Sequence, residues 1–204
     1  LRGGVEAGRY ASLGENDYLD GDLRLKTSHP LTETLQLSLR GRLRADHVGI
    51  GAFIDEPERR LSEPTEYRQG ELGAQLDMEQ GAYQHMVALD NLIYNYDNTS
   101  RTDGTVSIND DRDRQHYELT AKSGVRPENS EVFYYVLGNA NTRSYRHRVD
   151  SNAANSRDSD GYQLAVGAEL GNKKAPLWLD GYLGYLSQNY DDPFFSDISG
   201  VALG

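Results

Sequence analysis

A strict two-residue alternation over residues 34–45 constrains the fold most. Leucine, glycine or alanine occupies every odd position from 35 to 45, and polar or charged residues occupy every even position. Successive side chains of a β-strand point to opposite faces, whereas a helix would scatter these leucines around its circumference. The segment is therefore predicted to be a β-strand with one apolar face and one polar face.

The same alternation recurs along the chain. It is clear in residues 17–26, 68–78, 116–125 and 162–170, and more mixed in residues 84–96, 132–144 and 177–190, where the facing of the side chains stays open. Short turns are predicted at 27–31, 79–82, 126–129 and 171–174, and long polar loops at 47–66, 97–114, 146–160 and 188–200. Short turns at one end and long loops at the other are typical of outer-membrane barrels.

The strand lengths favour the same class of fold. A membrane-spanning strand needs roughly 9 to 11 residues, whereas strands of soluble proteins are nearer ~5 to 6. We predict an all-β fold, an antiparallel up-and-down transmembrane β-barrel of which about nine to ten strands are present, the last starting near Val201. Residues 1–204 are expected to form a single β-barrel domain, an incomplete portion of a longer barrel, because an open edge is costly in lipid. The alternative is a soluble all-β protein whose leucine faces pack on a second sheet.

Composition excludes several classes of protein. No run approaches the ~18 apolar residues of a membrane-spanning helix, and the mean hydropathy is -0.72. The chain has no cysteine, which rules out disulfides and thiol catalysis, and its net charge of -11 argues against nucleic-acid binding. No catalytic motif stands out, so we predict no enzymatic activity, no cofactor and no metal site, and the acidic loop clusters are interpreted as solvated charge.

In a barrel the polar face of each strand would line the lumen. The predicted pore-lining residues are Arg24, Lys26, Arg40, Arg42, Arg44, Glu71, Gln75, Asp77, His116, Glu118 and Lys122. The arginines could guide an anionic solute, or they could only neutralise the acids of the wall. A hairpin centred on Pro30 would place Asp20 opposite Arg40. Eight tyrosines near strand ends are expected to form a girdle at the membrane interface, namely Tyr18, Tyr67, Tyr94, Tyr96, Tyr117, Tyr145, Tyr162 and Tyr190.

The loops carry a family resemblance. Residues 63–67, 108–114, 159–162 and 184–193 resemble the outer-membrane family called putative β-barrel porin type 2, which is often associated with capsular polysaccharide or exopolysaccharide export. The resemblance implies the bacterial outer membrane, surrounding outer-membrane lipid, and a conduit for a long hydrophilic, often anionic glycan. It also implies periplasmic export proteins as partners, and it carries over no catalytic residue.

The predicted function is therefore an outer-membrane pore, a passive conduit for export of a hydrophilic polysaccharide. One alternative is a diffusion or uptake porin for small solutes, with residues 47–66 as its constriction loop because Val48, Ile50, Phe53 and Ile54 give that loop an apolar centre. Another is a surface adhesion or structural barrel that acts through its acidic loops.

Overall fold

The chain folds into one large antiparallel β-sheet. The computed structural model describes residues 2–8, 18–48, 64–101, 103–109, 112–145, 157–171 and 178–204. The strands are β1 (Arg2–Gly8), β2 (Tyr18–Pro30), β3 (Leu35–Val48), β4 (Thr65–Gln80), β5 (Tyr83–Tyr96), β6 (Thr99–Ser100), β7 (Val106–Ser107), β8 (Arg114–Val125), β9 (Val132–Tyr145), β10 (Ser159–Leu170), β11 (Leu179–Tyr190) and β12 (Ile198–Leu203). No helix among these residues is long and apolar enough to cross a bilayer.

Ten of the strands form the sheet, in the order β1-β2-β3-β4-β5-β8-β9-β10-β11-β12. Every neighbouring pair is antiparallel, and strands adjacent in sequence are adjacent in the sheet except where β6 and β7 make a separate small ladder. This is the up-and-down arrangement of a β-barrel porin, so the predicted fold class is confirmed. In the described part of the chain no ladder joins β1 to β12, and the barrel is not closed there.

The alternation extends further than the sequence patterns indicated. The eight strands from β2 to β11 that belong to the large sheet are 12 to 16 residues long. A tilted strand crosses the hydrocarbon layer with roughly 9 to 11 residues. The additional residues would therefore project beyond the layer at the strand ends.

One face of the sheet is apolar and exposed. Partners across an antiparallel ladder share a face, and the ladders place Leu43 opposite Leu23 and Gly70. Leu43 is 63% exposed and Leu72, on the same face, is 69% exposed. Because no second sheet of the described residues covers this face, the structure does not support the soluble sandwich.

The opposite face is polar, and it contains the buried apolar residues. These are Ala88, Phe133, Tyr135, Ala165 and Ala202. The ladders place each of them on the face that carries Arg40 and Glu71. A curved sheet crowds the side chains on its concave side, which is the geometry expected if the sheet bends around its polar face.

The first hairpin differs from the prediction. β2 continues through Pro30, which pairs with Gln36, so the turn occupies residues 31–34 instead of 27–31. Its centre lies three residues beyond Pro30, and Arg40 is therefore opposite Lys26. The predicted pairing of Asp20 with Arg40 is wrong for this reason.

The other connections also bear on the predicted loops. The connection from β11 to β12 is short, residues 191–197, because both strands extend into the predicted loop at 188–200. The connection from β5 to β8 contains the β6–β7 ladder. Most of the predicted loops at 47–66 and 146–160, and most of the turn at 171–174, lie outside the described residues.

Three connections between strands of the large sheet begin and end with the same hydrogen bond. The backbone N–H of the last strand residue, a tyrosine, donates to the carboxylate of the aspartate immediately before the next strand of that sheet. The pairs are Tyr96 to Asp113 at 2.6 Å, Tyr145 to Asp158 at 2.6 Å and Tyr190 to Asp197 at 2.9 Å. Asp113 is 4% exposed, so the interpretation of this loop acid as solvated charge is wrong.

Candidate functional site: the polar face of the sheet

All eleven predicted pore-lining residues lie on the polar face. The ladders place Arg24 opposite Arg42 and Arg42 opposite Glu71, and the other residues follow at steps of two along the strands or through further ladders. Together they are Arg24, Lys26, Arg40, Arg42, Arg44, Glu71, Gln75, Asp77, His116, Glu118 and Lys122. Alternation and register thus bring residues from β2, β3, β4 and β8 onto one surface.

The arginines of β2 and β3 are paired with acids. Asp22 contacts Arg24 at 2.7 Å and Arg42 at 2.6 Å. Arg40 forms an ion pair with Asp90, two strands away on β5. This part of the wall is therefore a network of neutralised charges, the second of the two interpretations made from sequence.

A smaller group of charges lies towards the loop end of β2 and β3. Arg44 is paired with Asp46, which also accepts a hydrogen bond from the Tyr67 hydroxyl at 3.2 Å. His47 Nδ1 lies 3.0 Å from an Asp20 oxygen, and one ligand atom each of Asp20, Asp46 and His47 lie within 4.8 Å of one another. These three ligand atoms are close enough together to bind a cation, but the Asp46 carboxylate is already bound by Arg44 and Tyr67.

The remaining predicted residues have local partners or none. Gln75 donates to Asp77 at 2.8 Å, and His116 lies 3.8 Å from Glu118. Lys26 is exposed and has no charged partner in the described part of the chain.

Towards the short turns, aromatic rings lie flat on the wall. We call Lys122, Phe133, Tyr135, Glu169 and Asp180 the turn-end cluster. Lys122 pairs with Glu169 and lies 3.7 Å from the centre of the Tyr135 ring, and the Tyr135 hydroxyl donates to Asp180 at 2.7 Å. A Cβ added at Gly124 would meet the Phe133 ring, and one added at Gly167 would meet the Tyr135 ring. Each ring thus covers a glycine on a neighbouring strand.

Towards the long loops, a second aromatic group is more open. We call Tyr67, Tyr94, Tyr96, Arg112 and Arg114 the loop-end cluster. The ring centres of Tyr67 and Tyr96 are 5.2 Å apart, and those of Tyr94 and Tyr96 are 6.3 Å apart at an interplanar angle of 16°. The Arg112 guanidinium lies 4.1 Å from the Tyr96 ring centre, and that of Arg114 lies 4.2 Å from the Tyr94 ring centre. All five residues are partly exposed.

These positions correct the predicted tyrosine girdle. Tyr67, Tyr94, Tyr96, Tyr145 and Tyr190 lie on the polar face. Tyr117 and Tyr162 do lie on the apolar face, 45% and 51% exposed, and the Tyr18 side chain lies outside the described residues. The prediction used closeness to a strand end. The face of a side chain is instead decided by whether its position in the strand is odd or even. Counting in twos from Glu71 on β4 would have assigned Tyr67 correctly.

Buried hydrogen bonds hold the connection that carries Arg112. Thr99 donates to Thr65 at 3.0 Å, and the Asn109 side-chain amide donates to the Asp97 carbonyl at 2.9 Å and to Thr99 at 3.2 Å. Thr65, Thr99 and Asn109 are all buried. In the same connection, hydrogen bonds from Thr105 hold the pKa of the Asp103 carboxyl below its ordinary value. Residues 110 and 111 lie outside the described part of the chain.

The strands β9 to β11 contribute side-chain amides to the same face. The amides of Asn141 and Gln188 both lie over Gly161, where an added Cβ would meet them. Asn141 Oδ1, Gln188 Nε2 and Ser159 Oγ have no hydrogen-bond partner within the described residues. These three atoms are buried, so they lie within the wall and not on its surface. Sequence reasoning missed them because β9 and β11 alternate irregularly.

Comparison with known proteins agrees with this architecture. A family model described as "Putative beta-barrel porin 2" matches residues 1–204, the full length of the chain. The chain belongs to this family. Membership in beta-barrel porin 2 indicates an outer-membrane pore. Neither the curated proteins nor the solved structures yielded a match.

Proposed function

We propose that the polar face lines a passive conduit through which a hydrophilic polysaccharide is exported across the outer membrane. The observation that carries the proposal is the pairing of opposite charges across this face. Paired charges hold water, and they attract a passing ion or polymer less than isolated charges do. A long chain could then slide along the wall without being retained.

The rest of the face supports a sugar polymer as the solute. The partly exposed side chains of Asn141 and Gln188 keep this half of the face polar, which suits a hydrated sugar polymer. The rings of the turn-end cluster are buried in the wall, so they do not narrow the path. Outer-membrane lipid would contact the exposed leucines of the opposite face, and periplasmic export proteins would deliver the polymer.

Planar-bilayer recording tests the conduit. The purified full-length protein is inserted into a bilayer, and single-channel conductance is measured before and after a soluble polysaccharide of the producing strain is added. We expect a large, steady conductance that the polymer interrupts. Block by small solutes alone would favour an uptake porin, and the absence of conductance would favour a surface module and contradict the proposal.

A charge variant tests whether the paired network faces the conduit. In the variant Arg40→Gln/Arg42→Gln, Asp90 loses its arginine partner and Asp22 keeps only Arg24. We expect ion selectivity to shift towards cations, because the wall gains net negative charge. The matched control is Arg68→Gln, which lies on the opposite face near the strand end and is exposed. Equal selectivity in both variants would place the network outside the conduit.

A further inference from the structure

The loop-end cluster differs from the paired arginines of β2 and β3 in its two stacked arginines, which contact no carboxylate among the described residues. Arg24, Arg40, Arg42 and Arg44 each contact a carboxylate. Within the described residues, the guanidinium groups of Arg112 and Arg114 have no carboxylate partner and no hydrogen-bond acceptor, although the chain carries a net charge of -11. Among the described residues no carboxylate occupies these two guanidinium groups, so they are available there to bind an anion.

Stacking fixes the direction in which these arginines can bind. A guanidinium is planar, and its five N–H donors point outwards in that plane. Arg112 and Arg114 lie over the rings of Tyr96 and Tyr94, which hold the two cations in place. The donor edges therefore remain available, in a geometry that suits the two oxygens of a carboxylate.

The tyrosines specify more than an anion. Three rings, those of Tyr67, Tyr94 and Tyr96, follow one another at centre distances of 5.2 and 6.3 Å, and each is partly exposed. A ring edge or face of this kind packs against the apolar C–H surface of a sugar ring, and the phenol hydroxyl can bind a sugar hydroxyl. An anion without such a surface, such as phosphate, would use the arginines only.

The cluster is also built to stay in place. Arg114 is the first residue of β8, and Arg112 is next to Asp113, whose carboxylate accepts the Tyr96 N–H. The buried Thr65–Thr99–Asn109 hydrogen bonds anchor the same connection. On β9, Arg143 lies on the same face, opposite His116. It has no carboxylate partner in the described part of the chain, so it adds a third positive charge near the cluster.

From these contacts we infer that the loop-end cluster is a binding site for the acidic sugar units of a carboxylated glycan. Arg112 and Arg114 bind the carboxylate, and the tyrosine rings pack against the sugar. The inference rests on the proposed function, because it requires that solute reaches the polar face. It adds the class of glycan and the place of first contact, at the long-loop end of the strands.

The test uses oligogalacturonate as the acidic probe and a malto-oligosaccharide of equal length as the neutral probe. Dissociation constants are measured twice, by calorimetry on the detergent-solubilised protein and by channel block in a planar bilayer. We expect the acidic probe to bind about tenfold more tightly than the neutral one, and less tightly as salt is raised. Equal binding of the two probes would overturn the inference.

Variants locate the site. The double variant Arg112→Gln/Arg114→Gln should abolish the preference for the acidic probe. The variant Tyr94→Leu should weaken the binding of both probes. Arg114→Lys keeps the charge but loses the planar donor edge, so we expect intermediate binding. Arg68→Gln, on the opposite face, is the matched control and should bind as the wild type does. Unchanged binding in the double arginine variant would overturn the assignment.

Two further readouts separate the causes of failure. Competition with inorganic phosphate tests the sugar requirement: if phosphate displaces the probe as well as free galacturonate does, the site recognises charge alone and the inferred ligand class is wrong. A wild-type protein that binds the probe in calorimetry but does not conduct contradicts the proposed function and leaves the site intact. One that conducts without preferring the acidic probe contradicts the site alone.

Discussion

The two clusters of aromatic rings and cations on the polar face use similar residues in different ways. In the turn-end cluster Phe133 and Tyr135 are only 3% and 5% exposed, and Lys122 is paired with Glu169. In the loop-end cluster the rings are partly exposed, and Arg112 and Arg114 have no carboxylate partner within the described residues.

The difference follows from the neighbouring strands. Phe133 and Tyr135 lie beside Gly124 and Gly167, which leave room for a ring to lie flat and become buried. The tyrosines of the loop-end cluster lie beside one another, because Tyr67 and Tyr96 are direct cross-strand partners. Rings stack in both clusters, but a ring that is buried over a glycine stabilises the wall, whereas a partly exposed ring keeps surface for a ligand.

Removing a ring should lower the free energy of unfolding most in the turn-end cluster. Tyr135→Ala loses a buried ring and its hydrogen bond to Asp180, and we expect the free energy of unfolding to fall by about 3 kcal/mol. Tyr94→Ala removes a partly exposed ring and should cost about 1 kcal/mol. Guanidinium unfolding in lipid vesicles, followed by the fluorescence of Trp178, measures both. Equal losses would remove the distinction between the clusters.

Filling a covered glycine should also destabilise the sheet. A Cβ at Gly124 would overlap the Tyr134 carbonyl and the Phe133 ring, so Gly124→Val is expected to cost about 2 kcal/mol. At Gly138 no heavy atom lies within 4 Å of the added Cβ, and Gly138→Val should change the free energy of unfolding by less than about 0.5 kcal/mol. If both valines cost the same, the effect comes from strand propensity and not from the ring.

The ion pair of the turn-end cluster should contribute a smaller amount. Glu169→Gln leaves the partly buried Lys122 ammonium without its carboxylate, and we expect a loss of about 1 to 2 kcal/mol. Glu118→Gln is the matched control, because Glu118 is more exposed and its ion contact, to His116, is 3.8 Å long. Chemical unfolding of the two variants under the same conditions gives the comparison. A larger loss in Glu118→Gln would contradict it.

The same contacts explain which strands could be predicted from sequence. β3 alternates without exception from Leu35 to Asp46, so its faces could be assigned from residues 34–45 alone. β9 looked mixed because Phe133, Tyr135 and Leu137 place large apolar side chains on the polar face. Two of them cover glycines on other strands, and a pairing of that kind is visible only once the register is known.

Register also limited the prediction of the site. The eleven residues assigned by parity lie on the face expected for them, but the partners of the arginines come from strands that are distant in sequence. Arg40 pairs with Asp90, and Lys122 pairs with Glu169. Which cations remain unpaired therefore depends on the whole sheet. Arg114 was assigned to a loop, although it begins β8.

The smallest effect is expected for the arginines of the loop-end cluster. Arg114→Gln removes no ion pair within the described residues and leaves no buried carboxylate without a partner, so only its stacking on Tyr94 is lost. We expect the free energy of unfolding to change by less than about 0.5 kcal/mol, and Arg112→Gln to behave in the same way. Unfolding in lipid vesicles measures this change beside that of Glu169→Gln. A loss of about 2 kcal/mol would mean that Arg114 stabilises the wall as Lys122 does, and the two clusters would then have the same role.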